Sequence, residues 1–244
     1  MITIPMAGMS SRFTKAGYTV PKYMLPARGR SVFAHAAASF EAYFDSHPFL
    51  FILRDIQGTA DFVRAECAAL GIREARIAIL AEPTAGQAET VTLGLQQSGI
   101  AGDTPVTIFN IDTFRPGFRF PTSFDADKVD GYLEVFESSG ANWSYVRPTE
   151  PGSDRVAETA EKRPISNLCC TGLYHFRTAA MYLDAHARFA AGGAAALGLS
   201  ELYVAPMYNL LIADGRDIRY DLITPEQVIF CGVPAEYDAF LAGA

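Results

Sequence analysis

The 244-residue sequence predicts an α/β protein with a mostly parallel central sheet and a β-rich insertion. Three observations carry this. Short apolar runs alternate with helix-period stretches over residues 1–112, the pattern of βαβ units with right-handed crossovers. Phe49-Leu-Phe-Ile-Leu53 is apolar without a break, as a strand buried on both faces is. Gly71 and Gly99 stand where two of the helices should stop.

Taken in order, residues 2–6 form a strand that runs into a small-residue loop. Ser31 caps a helix reaching about residue 43, with Val32, Phe33, Ala36, Ala37 and Phe40 on its apolar side. A strand at 49–53, a helix from Gly58 or Thr59 to Leu70, a strand at 76–80, a helix at 86–97 and a strand at 106–110 follow. After Asp112 the rhythm changes. Residues 113–128 read as a loop, and 132–136, 143–147, 155–160 and 168–176 as strands joined by Ser/Gly and Pro-Gly turns. Helices are expected over 178–190 and 200–213, strands at 218–222 and 227–230, and a last helix from Pro234. The Ala/Gly stretch 190–198 reads as a flexible link between helices. No polar linker divides the chain, so residues 1–244 are expected to form one domain with halves 1–112 and 113–244.

The net charge of −7 and the pI near 5.1 argue against a nucleic-acid partner. No apolar run reaches the ~18 residues of a membrane span, and no charged leader precedes an apolar stretch. A cytoplasmic protein is the expectation, with a homo-oligomer left open. Cys67, Cys169, Cys170 and Cys231 form no C-x-x-C pair and read as core residues. His35, His47, His175 and His186 show no metal spacing.

The chemistry concentrates at strand ends, where open parallel sheets bind ligands. Ala7, Gly8, Met9, Ser10 and Ser11 make a loop whose backbone can approach a polyphosphate, because its residues are mostly small. Arg12 and Lys22 supply positive charge, and Pro21 and Pro26 frame the lysine. Glu82-Pro-Thr-Ala-Gly86-Gln87 follows the third strand, and Gln87 can present its amide to a base edge. Asn110-Ile-Asp112 follows the fourth, and its carboxylate beside a triphosphate suits Mg²⁺. Glu161-Lys162 follows the strand at 155–160. Each has a plainer reading too: Asp112 as a turn cap, Arg12 and Lys22 as surface charges, Gln87 as an ordinary first-turn residue.

In this order the segments resemble those of the sugar-nucleotide pyrophosphorylases and related nucleotidyltransferases. Gly8-Met-Ser-Ser-Arg12 followed by Pro21-Lys22 is similar to their G-x-G-x-R…P-K signature. Glu82 to Gln87 resembles the base-recognition loop, Asn110-Ile-Asp112 the metal motif, and Glu161-Lys162-Arg-Pro164 the E-K-P segment. Thr171-Gly172-Leu-Tyr-His-Phe176 resembles the G-x-Y-x-F strand, and Cys231-Gly-Val-Pro234 the late G-T-P segment. Small stand-alone members found with capsule or lipopolysaccharide genes look nearest.

The resemblance implies a three-layer α/β/α, Rossmann-like nucleotidyltransferase fold. It also implies transfer of a nucleotidyl group from an NTP, with a pyrimidine favoured, to a phosphorylated acceptor such as a sugar 1-phosphate, releasing pyrophosphate. It gives Arg12 and Lys22 catalytic roles. Ala7, Gly8, Met9, Ser10, Ser11, Glu82, Gly86, Gln87 and Asn110 fall to the nucleotide, with 1–112 as the nucleotide half. Glu161, Lys162 and Gly172 fall to the acceptor in 113–244, and Asp112 to Mg²⁺. The chain departs from the pattern where Ser10 replaces a glycine, Val233 replaces a threonine, and no second metal aspartate precedes Gly232. Asp221 is one acid that could stand in. A glycosyltransferase using Asp125-Ala-Asp127, or a nucleotide-binding homologue without turnover, are the competing readings.

Overall fold

A computed structural model describes residues 1–192, 198 and 200–243. The elements in chain order are β1 (Ile2–Pro5), α1 (Ser11–Lys15), β2 (Pro26–Ala27), β3 (Arg30–Ser31), α2 (Val32–Ala38), β4 (Phe49–Leu53), α3 (Thr59–Leu70), β5 (Ala75–Ile79), α4 (Gln87–Ser98), β6 (Val106–Phe109), β7 (Thr113–Phe114), β8 (Gly131–Glu137), β9 (Ser144–Pro148), β10 (Val156–Glu161), β11 (Leu168–Phe176), α5 (Ala179–Gly192), α6 (Tyr208–Ala213), β12 (Ile218–Ile223), β13 (Ile229–Phe230) and α7 (Pro234–Ala242). The fold class is the expected one, α/β with a largely parallel central sheet. Most of the 190–198 link lies outside the described residues.

The chain forms two compact units that interleave in sequence. One consists of Ile2–Pro83, Phe109–Arg119 and Glu226–Ala244. Its sheet is parallel, β1 on β4 and β4 on β5. All of β4 is buried, as its unbroken apolar run requires. Phe33 from α2 lies 5.0 Å from Phe51 of β4, and Phe40 lies 5.0 Å from Phe109 and 4.8 Å from Phe118. Ser31 caps α2 through its hydroxyl, which accepts from the Ala34 N–H at 3.0 Å. The helix is shorter than expected, ending at Ala38 before a separate 3-10 turn at Glu41–Tyr43.

The other unit consists of Met1, Thr84–Ile108 and Phe120–Pro225. Here β8 pairs with β12 in parallel and with β11 antiparallel, and β9 joins β11 to β10 with antiparallel pairing. Buried rings fill its core: Phe176 stacks on Tyr208 at 4.5 Å, and the Tyr208 hydroxyl donates to the His175 carbonyl at 2.7 Å. Burial pushes the His175 imidazole down to about 3, so it is neutral where Thr107 Oγ1 meets its Nδ1 at 2.9 Å. All four cysteines are buried and free, as expected of core residues.

Two further expectations needed correction. The helix over 200–213 is in fact a 3-10 turn at Ala205–Met207 followed by the short α6. Pro206 allows a helix to start there but not to run through. Upstream, the Leu202 N–H donates to the Ala85 carbonyl and its carbonyl accepts from the Ala88 N–H, both at 2.9 Å, so neither group is left for a helix. Within the loop at 113–128, β7 is a strand, paired antiparallel with β13.

Candidate active site

The unit containing β1 gathers residues 7–12, Lys22 and Asp112. β1 is buried throughout, so Ala7 to Ser11 leave the end of a fixed strand. A Cβ on Gly8 would meet no protein atom within 4 Å. The space that a side chain would take is open to a ligand. Met9 is exposed, with its sulfur 3.1 Å from Nη1 of Arg54. Ser10 has a left-handed backbone, φ 50° and ψ 29°, which costs a residue with a Cβ about 1–2 kcal/mol. Its side chain explains why a serine stands there. The Ser10 hydroxyl accepts from the backbone N–H of Lys22 at 3.2 Å, tying the loop to the lysine twelve positions on.

That geometry separates two substitutions. In Ser10→Ala the strain stays and the tether goes, so we expect a loss of about 1 kcal/mol in stability. In Ser10→Gly the relief of strain offsets the lost bond and the added chain entropy to within about 0.5 kcal/mol. Both should lower turnover several-fold, on the order of one hydrogen bond's worth. Urea unfolding and initial rates on the two variants check this.

Lys22 meets Asp112 directly, its Nζ donating to Oδ2. Each side chain keeps 21% of its surface, so the pair is sheltered yet reachable. Burial by itself raises the Asp112 carboxyl. The Lys22 charge and hydrogen bond, its own backbone N–H and the charge of Arg12 outweigh that, and the group is held below the usual carboxylate range. Asp112 is therefore ionised at neutral pH. The pairing of β7 with β13, Thr113 opposite Phe230, brings Cys231 and Gly232 to it. The Cys231 N–H donates to the Asp112 carbonyl at 2.8 Å. The Cys231 thiol is pushed up to about 12, chiefly by burial, and stays protonated.

Gly232 is there for space. A Cβ on it would stand 2.9 Å from Asp112 Oδ2 and 3.6 Å from Glu236 Oε2. Glu236 was not foreseen from sequence. Its carboxylate accepts from the Gly232 and Val233 N–H groups at 2.8 and 3.2 Å, closing the first turn of α7. The signal was legible: Pro234 at the first helical position and Glu236 at the third. As a test of fit, Mg²⁺ takes one or two carboxylates with phosphate oxygens and waters. Asp112 offers one ionised carboxylate beside the loop, which fits a cation whose shell the nucleotide completes. Among the described residues, no three His, Cys, Asp or Glu gather into a site built from protein alone. In the same unit Glu82 is exposed on a loop, and the carbonyl of half-buried Asn110 accepts from Thr113 at 3.3 Å.

The unit containing β11 holds the remaining predicted residues. Gly86 precedes α4, and Gln87 begins it. A Cβ on Gly86 would lie 2.6 Å from both N and O of Leu202, and its φ is 151°. The glycine thus admits a backbone segment. We expect Gly86→Ala to cost about 2–4 kcal/mol and to lower the thermal midpoint by roughly 5–10 °C in calorimetry. Gly172 sits in a β-bulge of β11 between Cys170 and Tyr174, with φ 99°. Its backbone calls for glycine whatever it binds.

Glu161 ends β10 opposite Ser144, whose hydroxyl donates to its carboxylate. Burial raises the Glu161 carboxyl, partly countered by that bond. Lys162 follows, its N–H donating to the Trp143 carbonyl at 2.8 Å and its Nζ to the Tyr203 hydroxyl at 2.5 Å. Asp221 lies in β12 opposite Glu134 of β8. The Asp125-Ala-Asp127 pair forms a local turn: Asp125 accepts from the Asp127 N–H at 3.0 Å and meets Lys128 at 3.2 Å. No helix among the described residues is long and apolar enough to cross a membrane.

This architecture has counterparts among solved proteins. The inositol-1-phosphate CTP transferase of T. maritima superposes with a TM-score of 0.74 at 14% identity, over 98% of this chain and 94% of its own. A UDP-glucose pyrophosphorylase solved with UDP-glucose gives 0.74 at 14% identity, over 99% and 97%. At that identity they show the fold alone, mixed α/β with a largely parallel central sheet. The nucleoside-diphosphate-sugar pyrophosphorylase of Vibrio cholerae RC9 is far nearer, 54% identical with a TM-score of 0.94 over 99% of this chain and 100% of its own. The chain belongs to the nucleoside-diphosphate-sugar pyrophosphorylase family and is a nucleotidyltransferase. No protein-family model matches the sequence. No curated protein matches it either.

Proposed function

We propose that the chain, as one nucleotidyltransferase domain, joins an NTP to a sugar 1-phosphate and yields an NDP-sugar and pyrophosphate. The observation that carries this is the Lys22–Asp112 pair, a sheltered ammonium and carboxylate tethered to a small-residue loop through Ser10. An acceptor phosphate oxygen attacks the α-phosphorus. The new O–P bond forms as the bond to the β-phosphate breaks, and pyrophosphate leaves with the electron pair. No side-chain nucleophile is required, so catalysis rests on positioning and charge.

In this reading the loop from Ala7 to Ser11 holds the phosphates, and Lys22 with Arg12 balances the charge that builds on the α-phosphate and the leaving group. Asp112 would hold Mg²⁺, which supplies charge neutralisation and orientation at that phosphate. Glu82, Gly86, Gln87 and Asn110 serve the nucleotide, with a pyrimidine favoured. The V. cholerae relative, a nucleoside-diphosphate-sugar pyrophosphorylase, supports a nucleotide and a sugar phosphate here, and the CTP transferase and the UDP-glucose pyrophosphorylase support a pyrimidine base. Lys162 takes the acceptor phosphate, and Glu161 and Gly172 also serve the acceptor. The local partners of Asp125 speak against the glycosyltransferase reading, since the first carboxylate of that D-x-D is already engaged.

The test is a matrix of four NTPs against a panel of sugar 1-phosphates with Mg²⁺, read as pyrophosphate release. Release that requires one NTP and one phosphorylated acceptor is expected. Nucleotide binding with no release across the panel would favour a homologue without turnover.

A further inference from the structure

Lys162 has a left-handed backbone, φ 54°. Non-glycine residues hold such a conformation where the surroundings over-determine it, often at functional positions. Its N–H extends the β9–β10 pairing by one residue, to Trp143. The long side chain then leaves the sheet, and Tyr203 meets it twice. The phenolic oxygen accepts from Nζ at 2.5 Å, and Nζ stands 4.7 Å from the ring centroid. Ser200 Oγ lies 3.1 Å from the same phenolic oxygen. The chain next to Tyr203 is anchored, since Leu202 pairs through its N–H and carbonyl with Ala85 and Ala88, in the room that Gly86 leaves.

We propose that Tyr203 is a positioning residue for Lys162. It fixes one of the three ammonium donors and aims the other two at the oxygens of the acceptor phosphate. The inference rests on the reading of Lys162 as the acceptor-phosphate ligand and adds what holds it in place. A surface lysine loses rotamer freedom when it is ordered. A tether that has already ordered it leaves less to lose when the phosphate arrives. The Tyr203 hydrogen bond also raises the Lys162 ammonium above the ordinary lysine value, ahead of an opposing contribution from burial. The cation therefore stays charged through the neutral range.

The chain has four lysines, Lys15, Lys22, Lys128 and Lys162, so full-length protein labelled with [¹³Cε]lysine gives four signals that single substitutions assign. We would follow Lys162 through a pH titration and through addition of inorganic phosphate, in the wild type and in Tyr203→Phe. The phenylalanine keeps the ring and removes only the accepting oxygen. The expected result is a Lys162 titration that moves down in Tyr203→Phe, with phosphate binding at that signal weakened about three- to tenfold, the worth of one hydrogen bond. Lys15 and Lys128 should not change, and Lys22 reports separately on the loop site. Equal titration and equal phosphate affinity at Lys162 in both proteins would overturn the role of Tyr203. A wild-type Lys162 signal that ignores phosphate while Lys22 responds would overturn the acceptor role of Lys162 itself.

Discussion

Replacing Lys22 by alanine is expected to lower turnover for pyrophosphate release by about 10²–10³-fold, the usual loss when one preorganised donor to a developing charge is removed. The Nζ group now on Asp112 is the nearest cation to that carboxylate, and its backbone is fixed by Ser10. Arginine should not rescue it. A planar fork cannot take the place of a compact ammonium held between prolines in a 3-10 turn at Lys22–Met24. The variant also leaves a sheltered carboxylate without its direct partner. The expected cost is about 1–3 kcal/mol, because the pair retains some contact with water. Steady-state kinetics and urea unfolding on Lys22→Ala and Lys22→Arg measure both effects. Wild-type rates in Lys22→Ala would remove Lys22 from the chemistry, and wild-type rates in Lys22→Arg would show that a guanidinium serves there as well.

Asp112→Asn carries the second largest effect. The amide keeps the shape and removes the charge, so a cation shared with the nucleotide loses its protein carboxylate. Activity should fall by about 10²–10³-fold. Stability has a pH signature of known sign. The folded Asp112 carboxyl is held below its unfolded value of ~3.9, so the native state binds its proton less tightly. The stabilisation is fully present above that unfolded value and is lost as pH falls through the folded one. The difference in urea midpoint between wild type and Asp112→Asn should therefore be constant near neutral pH and shrink under acid. A difference that grows on acidification would contradict the ion pair. Ser10→Gly, stable but slowed, shows whether tethering Lys22 matters apart from folding.

What was legible in the sequence follows from local physics. Strands such as Phe49–Leu53 announce themselves because burial on both faces leaves no polar position. α3 and α4 end at Gly71 and Gly99 because a left-handed terminus costs glycine nothing. The small-residue loop, Lys22 and Asp112 could be singled out because a triphosphate site would need small residues, a cation and a carboxylate at strand ends, and the structure brings Lys22 onto Asp112. What stayed hidden depends on contacts distant in sequence. Residues 200–204 read as helical until Leu202 is seen spending its backbone on Ala85 and Ala88. Gly86 also carries a packing demand that no local pattern reports, since its missing Cβ makes room for Leu202. Ser10 looked like a lapse from glycine until its hydroxyl was found on Lys22. The Tyr203 contact with Lys162 spans 41 positions, and no periodicity reports such a pair.

The central claim is that an acceptor phosphate oxygen attacks the α-phosphorus of an NTP. It is tested most directly with an acceptor whose terminal phosphate oxygens carry ¹⁸O. The account predicts one label in the new bridge between the two phosphorus atoms of the NDP-sugar, with the released pyrophosphate unlabelled. Label in the pyrophosphate, or a product with no label in that bridge, would contradict it.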